Sequence, residues 1–196
     1  MDSTSPAPVS APGGVSGAEL FEVSGVVAIA YADALWDLTH VPPAGETVSA
    51  VMIDSAEGLE ILRHSAAHVA AQAVQTLHPQ GKLGIGPPVT DGFYYDFDLP
   101  ESLGPDDLSR VEKEMQRIVK AGQRFERRVV TAEEAKAELA HEPYKLELIG
   151  LKDVAADSDA GESVEVGAGE LTIYDNVDPK TGETVWKDLC RGPHIP

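Results

Sequence analysis

The stretch 55–77, SAEGLEILRHSAAHVAAQAVQTL, constrains the fold of this chain more than any other. At about 100° per residue, Leu62, Ala66, Val69, Ala73 and Leu77 fall on one stripe and His64, His68, Gln72 and Gln75 on another. That spacing predicts one long helix with an apolar seam and a separate polar face. Asp54 followed by Glu57 reads as a capping box at its start, and Pro79 lies just past its end.

The flanks read as sheet. After a Ser, Pro, Ala and Gly tail over 1–17, expected to be disordered, come the β-rich runs VVAIAY, ALWDLTH and TVSAVMI, parted by turns at Ala32-Asp33 and 42–45. These predict a three-stranded sheet within 18–53, too small to be stable alone. Beyond the helix, Lys82 to Gly86 and Gly92 to Asp98 predict a β-hairpin turning at 87–91, with Phe93, Tyr95 and Phe97 on one face. Residues 105–121 predict a second amphipathic helix with Leu108, Val111, Met115, Ile118 and Val119 inward, ended by Gly122. A strand at 125–130 follows, then a short helix opened by a Thr131/Glu134 capping box. Residues 144–149 fit helix or strand equally. The acidic, Gly-rich 153–169 reads as an exposed insertion, and 171–174 and 184–187 as two strands joined across 178–182. The fold class is α+β.

No apolar run approaches the roughly eighteen residues that would span a membrane. The N-terminus lacks the basic start and apolar core of a secretory leader, and one cysteine makes no internal disulfide, so a cytoplasmic protein is expected. A net charge of −18 argues against a polyanionic partner unless the cations are gathered. They are gathered at Arg110, Lys113, Arg117, Lys120, Arg124, Arg127 and Arg128, seven cations against the three anions Glu112, Glu114 and Glu126. This stretch is either a basic face for RNA or an ordinary solvated helix of mixed charge.

The chemistry is carried by His64-x-x-x-His68 and, far along the chain, Cys190-x-x-x-His194. Histidines at i, i+4 share one side of a helix, and a CxxxH on another element can complete a tetrahedral zinc site. The same imidazoles can instead position and deprotonate a water that attacks an ester carbonyl, with Lys145 and Asp188 holding substrate charge. Spacing alone leaves both open, together with the plain alternative that HxxxH on a helix face is coincidence. Cys190 as a covalent nucleophile, its thiol acidified by Arg191, is a weaker option, since no thiol-protease signature accompanies it.

Taken in order, RHSAAH, KLGIGPPVTDGFYYDFD, EPYKLELI and WKDLCRGPHIP closely resemble the N-terminal part of bacterial, and specifically actinobacterial, threonyl-tRNA synthetases, over about Val26 to Pro196. The resemblance implies a small β-grasp (TGS) module at 18–53, truncated here, then an α+β editing domain over 54–196 with its long helix on antiparallel sheet. The implied editing domain is of the type that threonyl- and alanyl-tRNA synthetases share, known as the second additional domain, and here it would hydrolyse tRNA(Thr) mischarged with serine. The implied site residues are His64, His68, Lys145, Asp188, Cys190 and His194, with Gly86 and Tyr95 lining the pocket. The four-ligand set His64, His68, Cys190 and His194 matches one that holds zinc in the alanyl enzymes, whereas threonyl editing is expected to need no metal. The implied partner is tRNA(Thr), and the longer parent is expected to be a homodimer. Pro196 precedes any class II core, so ATP, magnesium and that core's zinc are expected only outside this sequence, and ligase activity is not expected of it. The competing expectation is a non-catalytic RNA-binding module with structural zinc.

Overall fold

The computed structural model describes residues 9–10, 15–155 and 170–196. They divide into two compact units, 1–65 with 192–196 and 66–191. The elements in chain order are β1 (Val9–Ser10), α1 (Gly17–Leu20), β2 (Val26–Tyr31), β3 (Ala34–Asp37), β4 (Thr47–Met52) and α2 (Ala56–Leu77). They continue as β5 (Lys82–Leu83), β6 (Pro88–Val89), β7 (Gly92–Phe93), β8 (Phe97–Asp98) and α3 (Pro105–Ala121). The last are β9 (Arg124–Val130), α4 (Ala132–Glu138), α5 (Pro143–Ala155), β10 (Leu171–Val177) and β11 (Thr184–Leu189). The mixture of helix and antiparallel sheet is α+β, as expected.

In the first unit the sheet has the order β1-β4-β2-β3 and is antiparallel throughout. It has one strand more than expected, because Val9–Ser10, inside the stretch taken for a tail, pairs with Thr47 and Val48 of β4. At the other end of that stretch Ser16 caps α1, which begins at Gly17, so 15–17 are ordered contrary to expectation, and 1–8 and 11–14 lie outside the described residues. Neighbouring Ala28 and Ile29 point to opposite faces of β2, yet both are fully buried. Phe21, Val26 and Val48 gather on the Ile29 side, and Val27, Val51 and Ile61 with Ala28. Burial on both faces is what a sheet this small needs to be stable.

The start of α2 departs from the expected cap. Ser55, not Asp54, closes it: its Oγ accepts from Gly58 N at 3.0 Å while its carbonyl takes the Leu59 amide. Three residues after Ser55, a glycine is obligatory. A Cβ on Gly58 would lie 1.9 Å from the carbonyl oxygen of Met52. Alanine gains about 1 kcal/mol in helix propensity, but this contact is with backbone and cannot relax by a rotamer change. Gly58→Ala is therefore expected to lower stability by about 1–3 kcal/mol net, read as a fall in the urea midpoint.

In the second unit a three-stranded antiparallel sheet, β11-β10-β9, is centred on β10, all seven of whose residues are buried. Leu171 and Ile173 pack with Val130, Leu189, Ala135 of α4 and Ile149 of α5. Asn176 lies on the other face, which the polar side of α2 covers. Asn176 Nδ2 donates to Gln72 Oε1 at 2.6 Å, and Trp186 Nε1 of β11 donates to Gln75 Oε1 at 2.7 Å. The layout of α2 is thus two-sided: Ala73 of the expected seam is fully buried and Val69 and Leu77 pack with Val111 and Ile118 of α3, while His68 and Gln72 of the polar face are buried as well. Hydrogen bonds to the sheet's own polar side chains let the helix bury its polar face there.

The hairpin at 82–98 forms in two short ladders, β5 with β8 and β6 with β7, bridged by Gly84 N to Asp96 O and Asp96 N to Ile85 O at 2.8 Å each. Helix α3 occupies the expected residues and ends at Gly122. Its buried stripe is narrower than expected: Val111 and Ile118 are inside, but Leu108 and Val119 are 62% and 69% exposed. Residues 144–149 are helical, within α5. The acidic insertion expected at 153–169 is described only to 155, as the end of α5, and 156–169 lie outside the described residues.

Candidate active site

The second unit supplies a buried polar network around Asp188. Its Oδ1 lies 3.1 Å from Lys145 Nζ and accepts the Leu189 amide at 2.8 Å, while Oδ2 accepts the Tyr95 hydroxyl at 2.6 Å. His68 Nε2 is 4.0 Å from the same Oδ2. Lys145 and Asp188 are both fully buried. Burial drives the Asp188 carboxyl above the ordinary aspartate range, with the Lys145 ammonium and the Tyr95 hydroxyl pulling it back. The Lys145 ammonium also stands 5.6 Å above the Tyr95 ring. Both Asp188 oxygens are thus engaged by side chains and backbone of the protein itself.

His68 is held edge-on between Trp186, with ring centroids 5.7 Å apart, and Phe125, at 6.2 Å. Tyr95 in turn presses on Gly86, where a Cβ would come within 2.1 Å of its ring. The pocket-lining pair implied by the resemblance is thus in direct contact, and only glycine fits beneath the ring.

In the first unit, His64 and His194 stack with centroids 4.4 Å apart, tilted by 37°. Ser65 fixes the second ring. Its hydroxyl donates to the Ile61 carbonyl at 2.8 Å and accepts the Ile195 amide at 3.0 Å. The same hydroxyl lies 3.0 Å from His194 Nδ1. The His194 amide donates to Asp37 Oδ1 at 2.9 Å, anchoring the residue to β3.

Both divisions between the units fall inside the HxxxH and CxxxH motifs, after Ser65 in α2 and after Arg191. His64 and His194 belong to the first unit and His68 and Cys190 to the second, and all four residues are buried. Three imidazoles and a thiol are a donor set whose chemistry fits tetrahedral zinc. A zinc ion bound there would supply either a structural crosslink or Lewis acidity.

The seven cations of 110–128 are less uniform than their spacing suggested. Arg110 pairs with Asp107 at 3.1 Å and Arg117 with Glu114 at 2.6 Å. Arg128 bridges Glu138 and Asp175, and that bridging, with Lys187, holds the Glu138 carboxyl down to about 2. Among the described residues, Lys113, Lys120, Arg124 and Arg127 carry no such pairing. Ser65, Asp37, Gln75, Glu142 and Trp186 were not singled out from the sequence as site-building residues. Glu142 and Trp186 stand inside the motifs EPYKLELI and WKDLCRGPHIP, which is the one signal that could have found them.

No family model matches the chain. Among curated proteins it is 64% identical over 183 residues to the threonine–tRNA ligase of Leifsonia xyli, covering 92% of this chain and 26% of that protein. Against the ligase of Streptomyces coelicolor it is 64% identical over 184 residues, 93% of this chain and 28% of that protein. Against that of Thermobifida fusca it is 66% identical over 160 residues, 82% and 24%. The chain spans about a quarter of the length of the curated relatives it matches. Among the described residues, no helix is long and apolar enough to cross a membrane.

Proposed function

As a relative of the actinobacterial threonine–tRNA ligases over 92% of its length, this chain is one for which we propose an editing role: hydrolysis of seryl-tRNA(Thr). The observation that carries it is the buried Lys145–Asp188 pair beside His68 and Tyr95. Desolvated charge of this kind is costly and marks functional sites. The need is physical. Threonine and serine differ by one methyl, worth only about 1–3 kcal/mol in a binding pocket, so a second hydrolytic sieve raises accuracy.

In the proposed reaction a water held by His64 and His68 attacks the ester carbonyl, one imidazole takes its proton, and the departing ribose hydroxyl is reprotonated, leaving serine and tRNA. The ester is already activated, so a base and orientation suffice. Asp188 fixes Tyr95 and, with Lys145, sets the electrostatics behind His68. The close contact of Tyr95 with Gly86 supplies a stiff wall against the extra methyl. The test is hydrolysis of seryl- and threonyl-tRNA(Thr) by the purified chain: faster loss of the seryl ester supports the reading, and equal loss or none defeats it.

For the RNA-facing surface, Lys113, Lys120, Arg124 and Arg127 are the cations that remain available for phosphate. Reversing charge at Arg124 and Arg127 is expected to weaken tRNA binding and to reduce the slope of log affinity against log salt by about one per lost phosphate contact. The same change at Arg128 is expected to disturb Glu138 and Asp175 instead, so filter binding across a salt series with both variants separates interface from scaffold.

A further inference from the structure

We propose that Glu142 is a positioning residue for the editing reaction, one carboxylate that holds four site-bearing elements in register; the proposal rests on the deacylase reading above. Glu142 is 2% exposed and precedes α5 by one residue. Its Oε1 accepts from Gln75 Nε2 of α2 at 2.7 Å, and its Oε2 accepts the Leu83 amide of β5 at 2.8 Å. Its own carbonyl accepts the Leu146 amide at 3.0 Å, in the first turn of α5.

The orientation of Gln75 follows from its neighbours. The Trp186 indole is a donor only, so the amide oxygen of Gln75 must face it, at 2.7 Å. The amide nitrogen is thereby turned toward Glu142 and toward the Gly81 carbonyl, 3.1 Å away. The bonds from Trp186 through Gln75, and from Leu83, run toward the carboxylate. Each branch ends near a site residue: Trp186 against the His68 ring and two residues before Asp188, Leu83 three residues before Gly86, and the α5 start two residues before Lys145. None of these contacts touches the reacting ester, so Glu142 acts by placement.

Glutamine at 142 keeps the shape but has one accepting oxygen for two donors in different directions, so one branch must let go. Glu142→Gln, assayed by circular dichroism at a temperature where it remains folded, is expected to lower kcat on seryl-tRNA(Thr) by about 10²-fold with KM changed less than about twofold. Selectivity over the threonyl ester is expected to fall by about tenfold as the wall loosens. An unchanged kcat in folded E142Q, or a loss confined to KM, overturns the proposal.

Amide exchange gives a readout independent of activity. Exchange in E142Q is expected to quicken at the Leu83 amide and the Trp186 indole while the Ile173 amide of β10 keeps its protection. Uniform quickening means a merely structural glutamate and overturns the proposal. If the wild-type chain hydrolyses neither ester, the deacylase reading fails, and the exchange pattern alone decides whether Glu142 clamps these elements.

Discussion

Replacing His68 by alanine is expected to slow hydrolysis of seryl-tRNA(Thr) by about 10²- to 10⁴-fold, the range spanned by removal of a positioned general base. Loss of His64 is expected to act in the same direction, and the double variant to add little, because two groups that hold one water act as a unit. The ring of His68 also packs between Trp186 and Phe125, so alanine leaves a gap; His68→Gln keeps most of the volume without the base and is expected to be as slow. EDTA is expected to leave the wild-type rate within about twofold, since in this reading no step needs a metal. Full activity in the double variant defeats the imidazole mechanism. Loss on chelation with recovery on added zinc moves the assignment to the four-ligand cluster and its metal.

Lys145→Ala is expected to be the most destabilising single change in the second unit, at about 3–5 kcal/mol, because it strands a fully buried carboxylate. Lys145→Met together with Asp188→Asn is expected to cost well below the sum of its single changes, the signature of direct coupling. The pH dependence has a definite sign. Asp188 titrates above its unfolded value when folded, so stability falls as pH rises from the ordinary aspartate range through the raised folded value. Without Lys145 the folded value climbs further. The penalty is then largest at neutral pH and shrinks in acid, where the carboxyl is protonated. Trp36 and Trp186 lie in different units, so urea titrations in a Trp36→Phe background report the second unit alone. A cost under about 1 kcal/mol at pH 7 would place the pair in water, with the worth of a surface ion pair.

What the sequence disclosed and what it withheld divide along physical lines. Regular elements were legible where caps and periodicity agreed: β2, β3, β4, α3 and α4 occupy the residues expected of them. The burial of the polar face of α2 was not legible, because apolar spacing marks a side buried against apolar neighbours and is silent on a second one that meets Asn176 and Trp186. Residues 144–149 were ambiguous because Tyr144, Leu146 and Leu148 alternate with period two, while Lys145 and Ile149 carry the helical repeat that is buried. A buried lysine does not look like core until its aspartate, on β11, is in place. Local charge counting likewise gave seven interchangeable cations, whereas Arg128 owes its role to Asp175, paired across two strands. The HxxxH and CxxxH motifs located the candidate site; the residues that orient it, Ser65 and Glu142, bear no signature of their own because any short polar side chain reads as surface in one dimension.

The three-stranded sheet described above also carries an order of assembly. β10 and β11 are joined by the turn at 178–183, whereas β9 meets β10 only after the chain has passed through 131–170, with α4 and α5 on the way. Closing the longer loop has the larger entropic cost and must precede its rewards, so the β10–β11 hairpin is the favoured first partner and β9 the late one. Asp188 arrives with the early hairpin, and Lys145 is delivered afterwards by the helix in the long loop. Until then the aspartate stays in water, where its charge costs nothing to keep.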